Sequence, residues 1–287
     1  MQKGIFIVID WTDWSGKGTQ TKLLVERLKG EWYDVEIADF PQYWKKSAWM
    51  VEEYLNWNLW TANEVWPYRA SVFYAVDRYE ASPRIKKRLE EWKIVISNRY
   101  VSSNMWHQAG KIHDIVERDK FLEWLDEFEY WLFWIPRPDM NILLYMPTEI
   151  WQQLVDQKWK RGYTDKKRDI HEDDLNHLKN AAEAYKYVAN KYNRTIIDSA
   201  PDWKLKTIEE ISKELENIVL NYIINRIFFY YFNLRIFKRF LCYVQCYDWI
   251  FFIIIFHSSS EISSMDFNFQ SGALSIIVRL YLFATYL

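Results

Sequence analysis

Short runs of β-branched and aliphatic residues recur along the first two thirds of the chain, each followed by a polar loop and a segment of helical period. IFIVI (5–9), DVEIADF (34–40), KIVISNRY (93–100), NILLYM (141–146) and RTIIDSA (194–200) read as strands, because each is short, almost uncharged inside and bounded by turn-forming residues. Between them, TQTKLLVERLK (19–29) places Leu24, Val25 and Leu28 on one helical face. The stretch 64–91 reads as a helix broken near Pro83, and 174–192 as a further helix. Near-continuous apolar strands separated by helices predict an α/β fold with a five-stranded parallel sheet covered on both faces. Ligands of such sheets bind beyond the carboxyl ends of the strands, where the polar segments of this chain lie.

The pattern changes near residue 217. Residues 218–287 hold eleven of the seventeen Phe and both Cys, in mixtures of Ile, Tyr, Phe and Asn without a helix or strand period. The expected organisation is a folded domain over 1–217 and an apolar, aromatic extension over 218–287 that is unstructured or spurious, since AT-rich codons specify the same residue types. A membrane anchor fits less well: WIFFIIIF (249–256) follows Asp248 and has eight residues, against about 20 for a span.

Charge adds only exclusions. With 37 basic and 39 acidic residues there is no polybasic signature for nucleic acid or an anionic membrane surface. Two cysteines, Cys242 and Cys246, rule out a disulfide framework or a four-cysteine zinc site and suit a reducing, cytoplasmic setting. The start, MQKGIFIVID, is strand-like and lacks the features of a secretion signal. Composition is abnormal in one respect. The chain has 7 Gly and 17 Trp, where average usage of about 7% predicts roughly 20 Gly.

Candidate chemistry begins at DWTDWSGKGT (10–19), between the first strand and the first helix. A phosphate-binding loop needs small residues whose backbone N–H groups converge, a Lys to reach the β- and γ-phosphates, and a hydroxyl near Mg²⁺ at the helix start. Gly16, Lys17, Gly18 and Thr19 meet that need in the right context, and the ATP-binding set is Trp11, Thr12, Asp13, Trp14, Ser15, Gly16, Lys17, Gly18 and Thr19. Thr19 is the expected metal contact through Mg-ATP; Asp13 is a second candidate, on the strength of the family resemblance set out next.

After this loop come DFPQYWKKSA (39–48), FYAVDRYEAS (73–82), NRYVSSNMWHQAGK (98–111), FWIPRPDMNILLYM (133–146) and the basic KWKRGYTDKKRDIHEDD (158–174). In order and spacing, residues 1 to about 215 resemble thymidylate kinases of the P-loop nucleoside-monophosphate kinase family. The resemblance implies a P-loop three-layer α/β sandwich with a helical acceptor-binding region, a lid at about 151–173, and transfer of the γ-phosphate of ATP to dTMP with Mg²⁺. It also implies a homodimer. Lys17, Asp13, Arg99, Arg161 and Arg168 become the expected catalytic residues, the last two as lid cations. Phe40, Tyr43, Tyr74, Arg78, Arg99, Ser103, Asn104, His107 and Gln108 become the expected dTMP contacts. Tyr74 would stack on thymine, Arg78 would bond its edge, and Arg99 would clamp the acceptor phosphate. Asn98 stands where the family has Asp, and Asp13 stands where adenylate kinases have Pro.

The chain repeatedly has Trp where the family pattern has Gly: Trp11, Trp14, Trp92, Trp131 and Trp134. Trp32, Trp44, Trp49, Trp57, Trp60, Trp66, Trp151, Trp159 and Trp203 share turn-like or loop contexts. The simplest reading is a UGA codon for glycine written as tryptophan; reassigning about 14 of the 17 gives roughly 21 Gly, near the average. Trp124, inside FLEWLDEF, reads as a genuine tryptophan. Were Trp11 and Trp14 authentic, the alternative would be a catalytically dead nucleotide-binding protein. Another nucleotide kinase, such as an adenylate kinase, is the second alternative.

Overall fold

A computed structural model describes residues 4–11, 17–56, 64–147, 150 and 175–233. Five strands, β1 (Ile5–Trp11), β2 (Val35–Asp39), β3 (Ile94–Asn98), β4 (Met140–Tyr145) and β5 (Thr195–Asp198), form one sheet in the order β2-β3-β1-β4-β5. Every pairing is parallel, with Ile7 beside both Ile96 and Met140. The expected fold class is therefore found, each strand lying within two residues of its expected bounds: β1 runs two residues longer, β4 shifts by one, and β2, β3 and β5 lose their loop-like ends.

Helices cover both faces. They are α1 (Lys17–Gly30), α2 (Trp49–Leu55), α3 (Pro67–Glu90), α4 (Val101–His107), α5 (Ile115–Asp126), α6 (Leu175–Lys191) and α7 (Ile208–Asn233). Phe6 and Val8 point from β1 into a core built with Ile85, Leu89, Tyr100, Met105, Phe121 and Val188. Ile7 and Ile9 alternate to the opposite face, and Leu24, Val25 and Leu28 of α1 are buried. Gly4 is required by a close approach: a Cβ there would stand 2.3 Å from the Lys93 carbonyl oxygen.

Two features depart from expectation. Helix α3 runs unbroken through Pro83. Proline removes the N–H that would reach the carbonyl of Tyr79, but Pro83 lies on the exposed side, where water can serve that carbonyl, while buried Ala81, Ile85 and Leu89 hold the other side. Helix α5 passes into a π-helical segment, Glu127–Leu132, that no periodicity announced. It carries Glu129 inward, completely buried.

The chain divides into one unit ending at Glu216 and another beginning at Asn217. The first part of the expected extension continues α7 as helix to Asn233, against the expectation of no helix period, and the rest of it lies outside the described residues, as does the expected lid at about 151–173. Among the described residues no helix is long and apolar enough to cross a membrane.

Candidate active site

Strand β1 sits between β3 and β4, so the chain crosses from one side of it to the other after β3. That reversal opens a crevice at the carboxyl ends of β1 and β3. Residues 12–16, holding Thr12, Asp13, Trp14, Ser15 and Gly16, lie outside the described residues, as do Arg161, Arg168 and the side chains of Trp11 and Lys17. The flanking geometry is described: β1 ends at Trp11 and α1 begins at Lys17. A helix N-terminus with no acidic residue in its first turn attracts anions. Gly18 faces open space, with nothing within 4 Å of a Cβ position, and Thr19 is exposed beside it. One turn further, the Thr21 hydroxyl donates to Asn98 Oδ1 at 2.5 Å, tying α1 to the end of β3.

At the other wall, Arg99 follows β3 with φ 60°. Its N–H donates to the Ile9 carbonyl at 3.0 Å, and its carbonyl accepts from Ser97 Oγ at 2.7 Å. A backbone so held in the left-handed region stores strain, which points to a requirement on where the side chain goes. Arg99 Nη1 lies 3.0 Å from His107 Nε2. A guanidinium only donates, so in this contact the ring nitrogen is the accepting partner.

Below these groups lies Asp10, almost fully buried at the end of β1. Ser103 Oγ donates to it at 2.6 Å, and Ser102 Oγ donates to its other oxygen. Burial raises the Asp10 pKa; the serine hydrogen bonds and the charges of Arg194 and Arg99 oppose the rise. Ser103 was singled out in the sequence, Asp10 was not. Its signal was a carboxylate closing an otherwise apolar strand, IFIVID.

The remaining expected acceptor contacts divide into two groups. Tyr43 and Tyr74 pack on a small cluster of Val51, Tyr54, Leu55, Val65 and Ala70. Tyr54 meets Tyr74 edge-on, with centroids 6.5 Å apart, and its hydroxyl accepts from Lys111 Nζ at 2.9 Å. Burial pushes the Lys111 pKa down to about 8. Asn104 Nδ2 donates to the Ser71 carbonyl at 3.2 Å. Gln108 is completely buried, and neither its Nε2 nor its Oε1 has a partner among the described residues.

Phe40 and Arg78 are placed deeper. Phe40 packs against Tyr100, with centroids 5.6 Å apart, inside the main core. Arg78, 2% exposed, makes two bonds of 2.6 Å to the carboxylate of Glu129 and a third of 3.3 Å to the Tyr100 carbonyl. Burial pushes the Glu129 carboxyl up, and the guanidinium pulls it back. Beside them Asp77 accepts from the Gln42 amide at 2.7 Å and from Ser47 Oγ at 2.6 Å, fixing the loop after β2. Lys111, Tyr54, Asp77 and Glu129 escaped the sequence reading because their roles arise from partners far along the chain.

The N-terminus of α1 and Arg99 thus follow the carboxyl ends of the neighbouring parallel strands β1 and β3. The family model for thymidylate kinase matches residues 9–211. The chain belongs to the thymidylate kinase family. Among its relatives, the probable thymidylate kinase of Pyrococcus abyssi (strain GE5 / Orsay) is 30% identical over 148 residues, 51% of this chain and 67% of that protein. The probable thymidylate kinase of Thermococcus onnurineus (strain NA1) is 26% identical over 226 residues, covering 77% of this chain and 100% of the relative. A solved structure of thymidylate kinase from Candida albicans, 21% identical, superposes with a TM-score of 0.55 over 77% of this chain and 93% of its own, a likeness of fold. As a thymidylate kinase family member the chain is an ATP-dependent phosphotransferase.

Proposed function

We infer that this chain transfers the γ-phosphoryl group of ATP to dTMP, giving dTDP, and that the crevice at the ends of β1 and β3 is where it does so. Phosphoryl transfer needs charge neutralisation and in-line placement more than a strong base. Lys17 and the amides at the start of α1 hold the donor phosphates, and Arg99 clamps the acceptor phosphate with its planar fork. The exposed Thr19 hydroxyl in the first turn of α1 would be a fitting oxygen ligand for Mg²⁺, which would supply charge neutralisation of the ATP phosphates. Asp13, Arg161 and Arg168 complete the catalytic set we propose. The catalytic domain is 1–217, working as a homodimer.

The observation that carries the acceptor assignment is Gln108. A buried carboxamide costs stability when unpaired, and Gln108 has no partner among the described residues, which supports a bound acceptor as the group that pairs with it. An amide offers one donor and one acceptor side by side, matching the N3–H and neighbouring carbonyl of a thymine ring. Ser103, Asn104 and His107 lie on α4, which Gln108 immediately follows, and Tyr74 is the aromatic we assign to the same pocket. In this arrangement Arg78 acts on the base from within its ion pair with Glu129.

The test is a steady-state assay of the protein purified from its source, with ATP and dTMP, AMP or UMP as acceptor. Turnover of dTMP at least tenfold more efficient than that of AMP and UMP is expected. Preference for AMP would replace this reading by an adenylate kinase.

A further inference from the structure

Among the described residues, eight non-glycine residues have a left-handed backbone, and five of them are tryptophan: Trp32 (φ 67°), Trp44 (70°), Trp92 (64°), Trp134 (49°) and Trp203 (64°). A side chain there drives its Cβ against the following carbonyl, so the region is used by Gly and, less often, by Asn and Asp. The other three are Asn193, Asp202 and the site residue Arg99. None of the four described glycines, Gly4, Gly18, Gly30 and Gly110, has a left-handed φ.

The hydrogen bonds identify what each turn demands. After α1 the Tyr33 N–H reaches the Leu28 carbonyl and the Trp32 N–H that of Lys29; after α3 the Lys93 N–H reaches Arg88 and the Trp92 N–H Leu89. Both are Schellman ends, whose left-handed position is usually glycine and sometimes asparagine. Helix α6 supplies the internal control. There the Arg194 N–H reaches Ala189 and the Asn193 N–H Asn190, and the left-handed residue is asparagine. In the turn Pro201–Lys204 the Lys204 N–H bonds the Pro201 carbonyl at 3.0 Å, and both central residues, Asp202 and Trp203, have positive φ. That is a type I′ turn, for which Asp-Gly is a preferred pair.

The five indoles gain little from where they stand. All are exposed, Trp32 to 93%. Lys86 Nζ lies 3.7 Å over the Trp134 ring, a surface contact that does not call for a left-handed backbone. Trp124 is the contrast: it sits inside α5, partly buried, stacked on Phe128 at 5.0 Å and 8° and 4.6 Å from Tyr68.

We propose that positions 32, 44, 92, 134 and 203 are glycine in the protein its source cell makes, a codon written here as tryptophan being decoded there as glycine. UGA is the codon that fits, one base from the tryptophan codon UGG and one from the glycine codon GGA. The same decoding at Trp11 and Trp14 gives the phosphate loop the small residues it needs, a consequence that rests on the proposed function.

The deciding experiment is peptide mass spectrometry of the protein isolated from its source. Glycine masses at all five positions, with tryptophan at Trp124, are expected; tryptophan at any of the five overturns the proposal. A second measurement needs no native material: the recombinant chain is compared with one carrying W32G, W44G, W92G, W134G and W203G. The glycine form should melt higher, or fold where the other does not, and W124G should melt lower. A glycine form that melts lower argues against the proposal. Failure of the recoded protein, with W11G and W14G added, to phosphorylate dTMP would count against the proposed function and leave the decoding standing.

Discussion

At Lys111 two demands conflict. Its ammonium is held 2.9 Å from the Tyr54 hydroxyl, yet burial pushes its pKa down to about 8, against about 10.4 in an unfolded chain. Between those values the unfolded chain binds more protons, so this residue makes stability rise as pH increases through the window, with its penalty fully present below pH 8. Lys111→Met should therefore gain stability relative to the parent most strongly below pH 8, the difference shrinking toward pH 10, as denaturant titrations at several pH values would register. The same substitution frees Tyr54, the edge-on neighbour of Tyr74; loss of one hydrogen bond of about 1 kcal/mol predicts a KM for dTMP raised about fivefold. An unchanged KM would leave Lys111 with a structural role only. Arg99 makes the complementary case. Its φ of 60° suits glycine, so Arg99→Gly should hold or raise the melting temperature. Loss of a charge-assisted contact worth about 1.5–3 kcal/mol should meanwhile cut kcat/KM for dTMP about 10- to 100-fold. If activity and stability fall together, the strain at Arg99 does not serve the site. The motif NRYVSSNMWHQAGK made Arg99, Ser103 and His107 legible. The partners that define their chemistry, Asp10 beside Ser103 and His107 against Arg99, required the sheet to bring β1 and β3 together.

The elements were legible for a plain reason. A central parallel strand is buried on both faces, so β1, β3 and β4 show near-continuous apolar runs, while the edge strands β2 and β5 are partly exposed and were marked by short β-branched runs between helical segments. What local pattern misjudged was Pro83, where buried residues on one side of α3 and solvent on the other outweigh a missing hydrogen bond. The π-helical segment after α5 has no periodic signature, since its reason is to deliver Glu129 to Arg78. Helix ends offer the sharpest comparison between elements, because α1, α3 and α6 close by the same pair of hydrogen bonds with Trp32, Trp92 and Asn193 at the left-handed position. A bulky residue in that conformation costs about 1–3 kcal/mol. Trp92→Gly should recover a good part of this and raise the melting temperature by about 2–8 °C for a domain of this size. Asn193→Gly should change it little, since asparagine already tolerates the turn. Equal effects at the two positions in thermal melts would show that the left-handed backbone is not what sets the cost.

Across the whole catalytic unit, one buried network ties the acceptor-binding helices to the segment that leads into β4. Arg78 on α3 holds Glu129 of the π-helical segment through two bonds of 2.6 Å, and Asn104 on α4 bonds both Glu129 and the Ser71 carbonyl. Nothing in the sequence paired residues 51 positions apart, which is why Arg78 was legible as a base contact while its ion pair was not. The network explains how a side chain expected to meet a ligand is also structural: α3, α4 and the chain before β4 are fixed relative to one another, and with them Tyr74, Asn104 and Gln108. Removing one partner of a fully buried pair leaves the other charge uncompensated, so Arg78→Met should destabilise the protein by about 3–5 kcal/mol, whereas replacing both residues by apolar ones of similar volume should restore most of that loss. Denaturant unfolding of R78M, E129M and the double variant closes the cycle. If Arg78 also acts on thymine, the stable double variant will still bind dTMP poorly while retaining ATP binding. A double variant with a normal KM for dTMP would assign Arg78 to the scaffold alone and leave Gln108 as the residue that reads the base.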